Sequence, residues 1–298
     1  MRLINKLFVI GGVVLAFLLM SSEITKTMAG LLINNSETKN EMEKAKVKYF
    51  TVGQGPKKVI ATHDWMGDAE GNWKHAIDYL NKDQFTYAFM DVRGYGQSKN
   101  VKGDFTIDEI VSDIFDLADE LGWERFYLVG HSMNGMASQK AVLEDNDERI
   151  IAVVGMTPVS SAGFPVDEDT KKFFELVITD VDKTAAGYGM LVSDKLGHHW
   201  NKKRATRFHN STNKVAVKNY MNEWLTQNFY EEMKGTKKPF LVLFGEDDLP
   251  AWREEGQKEA FKHFTNVEIV GIANAGHYPM QQVPAYTVAL MEKFIFEN

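Results

Sequence analysis

The chain has 298 residues, 44% hydrophobic and 25% charged, a balance that excludes a largely disordered polymer and fits a packed core under an ordinary charged surface. Its net charge of −7 gives no basic footprint for nucleic acid. The absence of cysteine excludes disulfides, thiolate metal sites and a cysteine nucleophile.

At the N-terminus, Arg2 and Lys6 precede an uninterrupted apolar run of 14 residues, 7–20, followed by a polar stretch and Met28-Ala29. That is the layout of a secretory signal, and the run is short of the roughly 20 residues that span a bilayer as a helix. Residues 1–29 are therefore expected to be a signal peptide or membrane anchor, with removal preferred. The expectation that follows is an exported protein, secreted or held at the membrane through residues 7–20.

Beyond a polar stretch, short β-branched and aromatic runs alternate with longer segments of helical period, the pattern of a mostly parallel α/β sheet. Strands are expected at 47–52, 58–62, 86–90, 126–129, 150–155, 240–244 and 267–270. Ile107, Ile110, Val111, Ile114, Leu117, Ala118 and Leu121 follow helical spacing, and Thr106 with Glu109 makes a capping-box start. A last helix is expected over 285–296, after Pro284. Residues 160–235 break this rhythm, being helical and polar-rich with no strand pattern, and are expected to fold as a helical cap inserted late in the sheet.

The segment Phe126-Tyr127-Leu128-Val129-Gly130-His131-Ser132-Met133-Asn134-Gly135 places Ser132 between an apolar strand and a helix beginning near Met133. A strand that turns sharply into a helix holds the turn residue in strained geometry with its side chain exposed, and the crowding there demands small neighbours. The helix start supplies free amides, so the Met133 N–H would meet the oxyanion formed when Ser132 attacks a carbonyl. Taken alone, the serine has a helix N-cap as its second, less favoured reading. The apolar strand 239–245 ends in Glu246-Asp247-Asp248, which puts carboxylates at the carboxyl edge of the sheet. After the last strand, Asn274-Ala275-Gly276-His277-Tyr278-Pro279-Met280-Gln281 sets a histidine on a loop. A neutral imidazole there can take the Ser132 proton while a carboxylate fixes its tautomer.

These segments, with Thr62-His63-Asp64-Trp65 and Asp91-Val92-Arg93-Gly94-Tyr95-Gly96-Gln97-Ser98, resemble the α/β-hydrolase superfamily over about residues 45–298. The likeness is to its capped, serine-nucleophile, esterase and enol-lactonase-like members. It implies an α/β-hydrolase fold and a catalytic triad of Ser132, Asp248 and His277, with Asp248 as the fourth residue of the G-x-x-D pattern from Gly245 and Asp247 as fallback. It also implies a backbone oxyanion hole at Trp65 and Met133 and a small-molecule acyl substrate; the lack of any cofactor motif leads to the expectation of no cofactor, and no metal is expected. Two positions depart from the pattern. Asn134 stands where G-x-S-x-G has its last glycine, which comes one residue later at Gly135, so a slightly altered elbow is expected. Asp64 replaces the glycine before the oxyanion residue; its carboxylate is expected to point away from the oxyanion, the alternative being a special role such as orienting a water.

The remaining motifs are read structurally. Arg93 is expected to pair with a nearby carboxylate. His198, His199 and His209 lack metal-ligand spacing with supporting carboxylates and read as solvated polar helix. Trp200, Trp224 and Phe229 read as core of the cap rather than substrate contacts. The leading expectation is hydrolysis of an ester, lactone or related acyl compound through acyl-Ser132. The same family pattern leaves carbon–carbon bond hydrolysis and cofactor-free haloperoxidase-like activity open, and a non-catalytic small-ligand binder is the alternative from another class. Epoxide hydrolases and haloalkane dehalogenases of similar architecture carry an aspartate at the elbow, so Ser132 argues against both.

Overall fold

The computed structural model describes residues 47–298. The apolar run at 7–20 therefore lies outside the described residues, and among these no helix is long and apolar enough to cross a membrane.

All seven expected strands form and pair as one sheet. They are β1 (Lys48–Gly53), β2 (Lys57–Thr62), β3 (Phe85–Asp91), β4 (Phe126–His131), β5 (Ile150–Met156), β6 (Phe240–Gly245) and β7 (Val267–Ile272), in the order β1-β3-β2-β4-β5-β6-β7. Only β1 runs antiparallel, against β3; every other pair is parallel. β4 lies between β2 and β5, and each of its residues is buried, so it reads as a continuous apolar run rather than an alternation. Its expected range 126–129 extends two residues further, to His131, which carries the strand up to the serine.

The helices flanking the sheet start where local chemistry says they should. Asp68 caps the short α1 (Ala69–Trp73) by accepting from Gly71 N at 2.7 Å. Thr106 caps α2 (Ile107–Glu120), accepting from Glu109 N at 3.1 Å, while the Glu109 carboxylate reaches back to Phe105 N at 2.5 Å. A cap of this kind is worth about 1 kcal/mol. The buried face of α2 includes Ile107, Ile110, Val111, Ile114, Leu117 and Ala118, the spacing expected from the sequence. α3 (Met133–Glu144) follows β4 directly.

Between β5 and β6 come α4 (Glu168–Thr179), α5 (Val181–Leu191), α6 (Gly197–Ser211) and α7 (Lys214–Thr226), with no named strand among them. Asp167, Asp180 and Asn213 cap three of these four through their side chains, which explains why a polar segment still breaks into discrete helices. The chain returns through α8 (Glu254–Phe261), the four-residue α9 (Pro279–Gln282) and α10 (Pro284–Glu297).

Candidate active site

Ser132 sits at φ 55° and ψ −115°, a positive-φ conformation that a residue with a side chain adopts only under constraint. The constraint is visible around it. Ser132 N donates to Met156 O at 2.9 Å, and Ser132 O accepts from Gly135 N at 2.8 Å and Val159 N at 3.0 Å. The small neighbours are required: a Cβ on Gly130 would fall 2.2 Å from Ser138 Oγ, and one on Gly135 would fall 2.4 Å from Pro158 Cβ. Gly135, three residues after Ser132, thus lets the helix start close against Pro158. Asn134 serves a separate purpose. It is fully buried, and its amide donates to the His63 carbonyl, tying the elbow to the loop that carries Trp65.

The loops after β6 and β7 complete the constellation. His277 Nε2 lies 2.8 Å from Ser132 Oγ, and His277 Nδ1 lies 2.7 Å from Asp248 Oδ2. Asp248 Oδ1 is occupied by Leu249 N at 2.7 Å, which fixes the carboxylate's orientation. All three residues are buried, with Ser132 the most open at 7% exposure. Asp247, the fallback acid, turns outward and pairs with Lys195, away from the imidazole.

Trp65 and Ser132 line one cavity of about 460 Å³ together with His277 and the cap helices. Met133 opens α3 immediately after Ser132, and Trp65 shares the cavity wall with the serine. The Trp65 ring is buried against the cap, its Nε1 donating to Val217 O at 2.8 Å and its ring meeting Phe174 and Trp224. The cavity wall is dominated by Trp65, Phe164, Phe173, Phe174, Trp224 and Trp252; its ionisable members besides His277 are Asp64, Asp167 and Asp169, with no lysine or arginine. Trp224 is therefore both cap core and cavity wall, a correction to its reading as core alone, because α7 turns that ring inward over the cavity. Trp200 packs on Tyr188 and Tyr278, and Phe229 is buried beneath Lys140; neither lines the cavity.

Asp64 is buried, and its Oδ2 accepts from Tyr278 Oη at 2.5 Å and Met66 N at 3.1 Å, so that oxygen is engaged by protein donors. Burial opposes its charge, but attraction to His131 whenever that ring is protonated, attraction to Arg204 and the Tyr278 hydroxyl outweigh that and hold the carboxyl below its usual range. Burial also pushes His131 down to about 3, which makes it a neutral ring at neutral pH. The charge facing Asp64 is consequently that of Arg204, a fully buried cation from α6. Neither Arg204 nor the role of His131 is legible in the sequence: Arg204 lies 132 positions from Asn72, to which it bonds, and no periodic pattern signals such a contact.

The other candidates resolve as structural. Arg93 binds Asp113 through two nitrogens at 2.7 and 2.8 Å and reaches Glu109 at 3.1 Å. His209 bonds Thr184 at 2.8 Å. His63 sits between the Asp64 carbonyl at 2.7 Å and Val92 N at 3.1 Å. Among the described residues no group of three or more His, Cys, Asp or Glu is placed to hold a metal ion.

Comparison with known proteins agrees with this architecture. Residues 63–281 match the family described as the alpha/beta hydrolase fold. A dihydrolipoyllysine-residue acetyltransferase component of the acetoin cleaving system of Cupriavidus necator is 32% identical over 120 residues, 40% of this chain and 31% of that protein. The chain spans about a third of the length of several curated relatives that it matches. The AB hydrolase superfamily protein YisY of Bacillus subtilis is 24% identical over 76% of this chain and 86% of its own length. Among solved structures, a hydrolase of Oleispira antarctica superposes with a TM-score of 0.75 at 16% identity, covering 85% of this chain and 96% of the other. With the family matched over most of its length, the chain belongs to the alpha/beta hydrolases.

Proposed function

We propose that this protein is a serine hydrolase that cleaves an ester, lactone or related acyl bond of an apolar small molecule, using Ser132, His277 and Asp248. The observation that carries the reading is the unbroken contact from Ser132 Oγ through both nitrogens of His277 to Asp248, opening onto a cavity of about 460 Å³. In this scheme His277 takes the Ser132 proton as Oγ bonds to the substrate carbonyl carbon. The tetrahedral oxyanion lies against the amides of Trp65 and Met133, and His277 returns the proton to the leaving oxygen. Water, deprotonated by His277, then attacks acyl-Ser132 and releases the acid, restoring the serine. Asp248 orients the ring and stabilises the imidazolium without itself taking the proton.

The aromatic wall supports apolar acyl groups, and the carboxylates along it disfavour anionic ones. A covalent two-step path predicts a burst of aryl alcohol equal to the enzyme concentration on mixing with an activated aryl ester, followed by slower turnover. Absence of both burst and turnover across a panel of short and medium aryl esters would reject the reading. The export of the chain through residues 1–29 is proposed on sequence pattern alone, and N-terminal sequencing of the protein from spent medium and membranes tests it.

A further inference from the structure

The proposed base is gripped by its main chain as well as by its ring. His277 N donates to the carbonyl of Leu191, the last residue of α5, at 2.8 Å. On the other side, the His277 carbonyl accepts from His131 Nε2 at 2.8 Å and from Thr157 Oγ1 at 3.3 Å. A neutral His131 that donates from Nε2 must accept at Nδ1, and there it meets the Asn72 amide at 2.8 Å. The Asn72 oxygen in turn accepts from Arg204 Nη2 at 3.0 Å. The relay thus runs from the α6 arginine, through α1, to the backbone of the catalytic loop, and Arg204, Asn72 and His131 are all buried.

A second arm reaches the same loop. Tyr278, next to His277, bonds Asp64 through its hydroxyl, and the Arg204 guanidinium lies 5.6 Å from the Tyr278 ring centre and 5.2 Å from that of Tyr188. The groups converge closely: a Cβ on Gly67 would fall 2.3 Å from Asn72 Oδ1, 2.4 Å from Asp64 Oδ1 and 3.0 Å from Arg204 Nη2. Burying a guanidinium costs several kcal/mol unless a charge and hydrogen bonds compensate it. Asn72 supplies a hydrogen bond and Asp64 an electrostatic attraction, while Arg204 Nε and Asp64 Oδ1 stay buried without a hydrogen-bond partner, so the compensation is partial and centred on Asn72.

We propose that Arg204 is a positioning residue for His277: by ordering Asn72 and His131 and by balancing Asp64 beneath Tyr278, it sets the height of the His277 main chain and so the reach of its ring to Ser132. The proposal rests on the assignment of His277 as the base. It makes the cap part of the catalytic apparatus, since both Arg204 and Leu191 belong to it.

The test compares the full chain carrying Arg204→Met, Arg204→Lys or Asn72→Ala with wild type. Asn72→Ala keeps the Arg204 and Asp64 charges together and cuts only the relay, so it remains informative if Arg204→Met fails to fold. Two readouts are taken: steady-state constants on an aryl ester, and the far-downfield proton resonance of the His277–Asp248 hydrogen bond. Positioning predicts a loss of roughly 10- to 100-fold in kcat with KM changed by less than about twofold in Asn72→Ala, because a small misplacement of a catalytic group costs rate rather than binding. The downfield resonance shifts or broadens in the same variants, and Arg204→Lys recovers part of both. Folded variants with unchanged kcat and resonance, or with a loss confined to KM, would overturn the proposal, as would absence of the resonance from wild type. If wild type shows the resonance yet turns over no ester, the hydrolase reading fails on its own and the resonance in the variants still decides the positioning role.

Discussion

The sheet ends and the cap meet at one cavity but are built by different rules. Around Ser132, Asp248 and His277 the geometry is set by backbone: a strained φ, tight glycines and loops that leave the carboxyl ends of β4, β6 and β7. In the cap the geometry is set by side chains reaching far along the sequence, such as Arg207 to Asp68 across 139 positions, Trp65 to Val217 across 152 and Tyr188 to Met66 across 122. The first region tolerates little variation because backbone segments there approach too closely for added side-chain atoms, as at Gly130, Gly135 and Gly245. The aromatic residues that the second adds to the cavity, Phe164, Phe173, Phe174 and Trp224, make no ring contact with His277, whereas Trp252, from the loop after β6, does. From this contrast we propose a division of labour in which the sheet ends carry the bond-making groups, while the cap walls the cavity and, through Arg204 and Leu191 alone, helps to hold His277.

Substitutions in each region sharpen or break that division. The largest effect is expected for Ser132→Ala, which should lower kcat on aryl esters by roughly 10⁴-fold or more with the folded state retained, as circular dichroism and thermal unfolding would report. Next is Asn134→Gly, which restores the family's residue but removes the donor to the His63 carbonyl. We expect a loss of about 1–3 kcal/mol of stability in chemical denaturation, together with a lower kcat as the Trp65 loop loosens.

The anchor between cap and core is expected to show in acid. Burial opposes the Asp68 charge, but the Arg207 hydrogen bonds outweigh it and hold the carboxyl at about 2, below its ordinary 3.8. A depressed carboxyl stabilises the fold above its unfolded value, so this contribution is present above about pH 4 and is lost as pH falls toward 2. It amounts to roughly 2 kcal/mol. Asp68→Asn should therefore lower stability at neutral pH and flatten its fall between pH 4 and 2 in denaturant titrations. The smallest effect is expected for Trp224→Ala, which should raise KM for bulky apolar esters by about tenfold while leaving kcat for acetyl esters nearly unchanged. A fall in kcat for every ester would instead place Trp224 in the rate-setting region and break the division.

The same division explains which features are legible in the sequence. The strands and the triad loops can be read there because central parallel strands such as β4 and β6 are continuous apolar runs, and the triad residues follow within five residues of the ends of β4, β6 and β7. The helical character of 160–235 is legible from composition, but the placement of its side chains is not. Trp224 as core or wall depends on which way α7 faces, and nothing in a polar-rich helix such as α6 announces that one arginine is swallowed whole. Asp64 shows the boundary case: its departure from the family residue is plain in the sequence, whereas its partners Tyr278 and Arg204 lie 214 positions away and on a cap helix respectively.

The most direct test of the central claim is the site of covalent capture. The protein is treated with a fluorophosphonate and digested, and the modified peptide is identified by mass, in wild type and in His277→Ala. A serine activated by His277 predicts one phosphonyl group on Ser132 in wild type and strongly reduced modification in His277→Ala. An unmodified Ser132 in folded wild-type protein, or equal modification in the variant, would contradict an activated serine at this site.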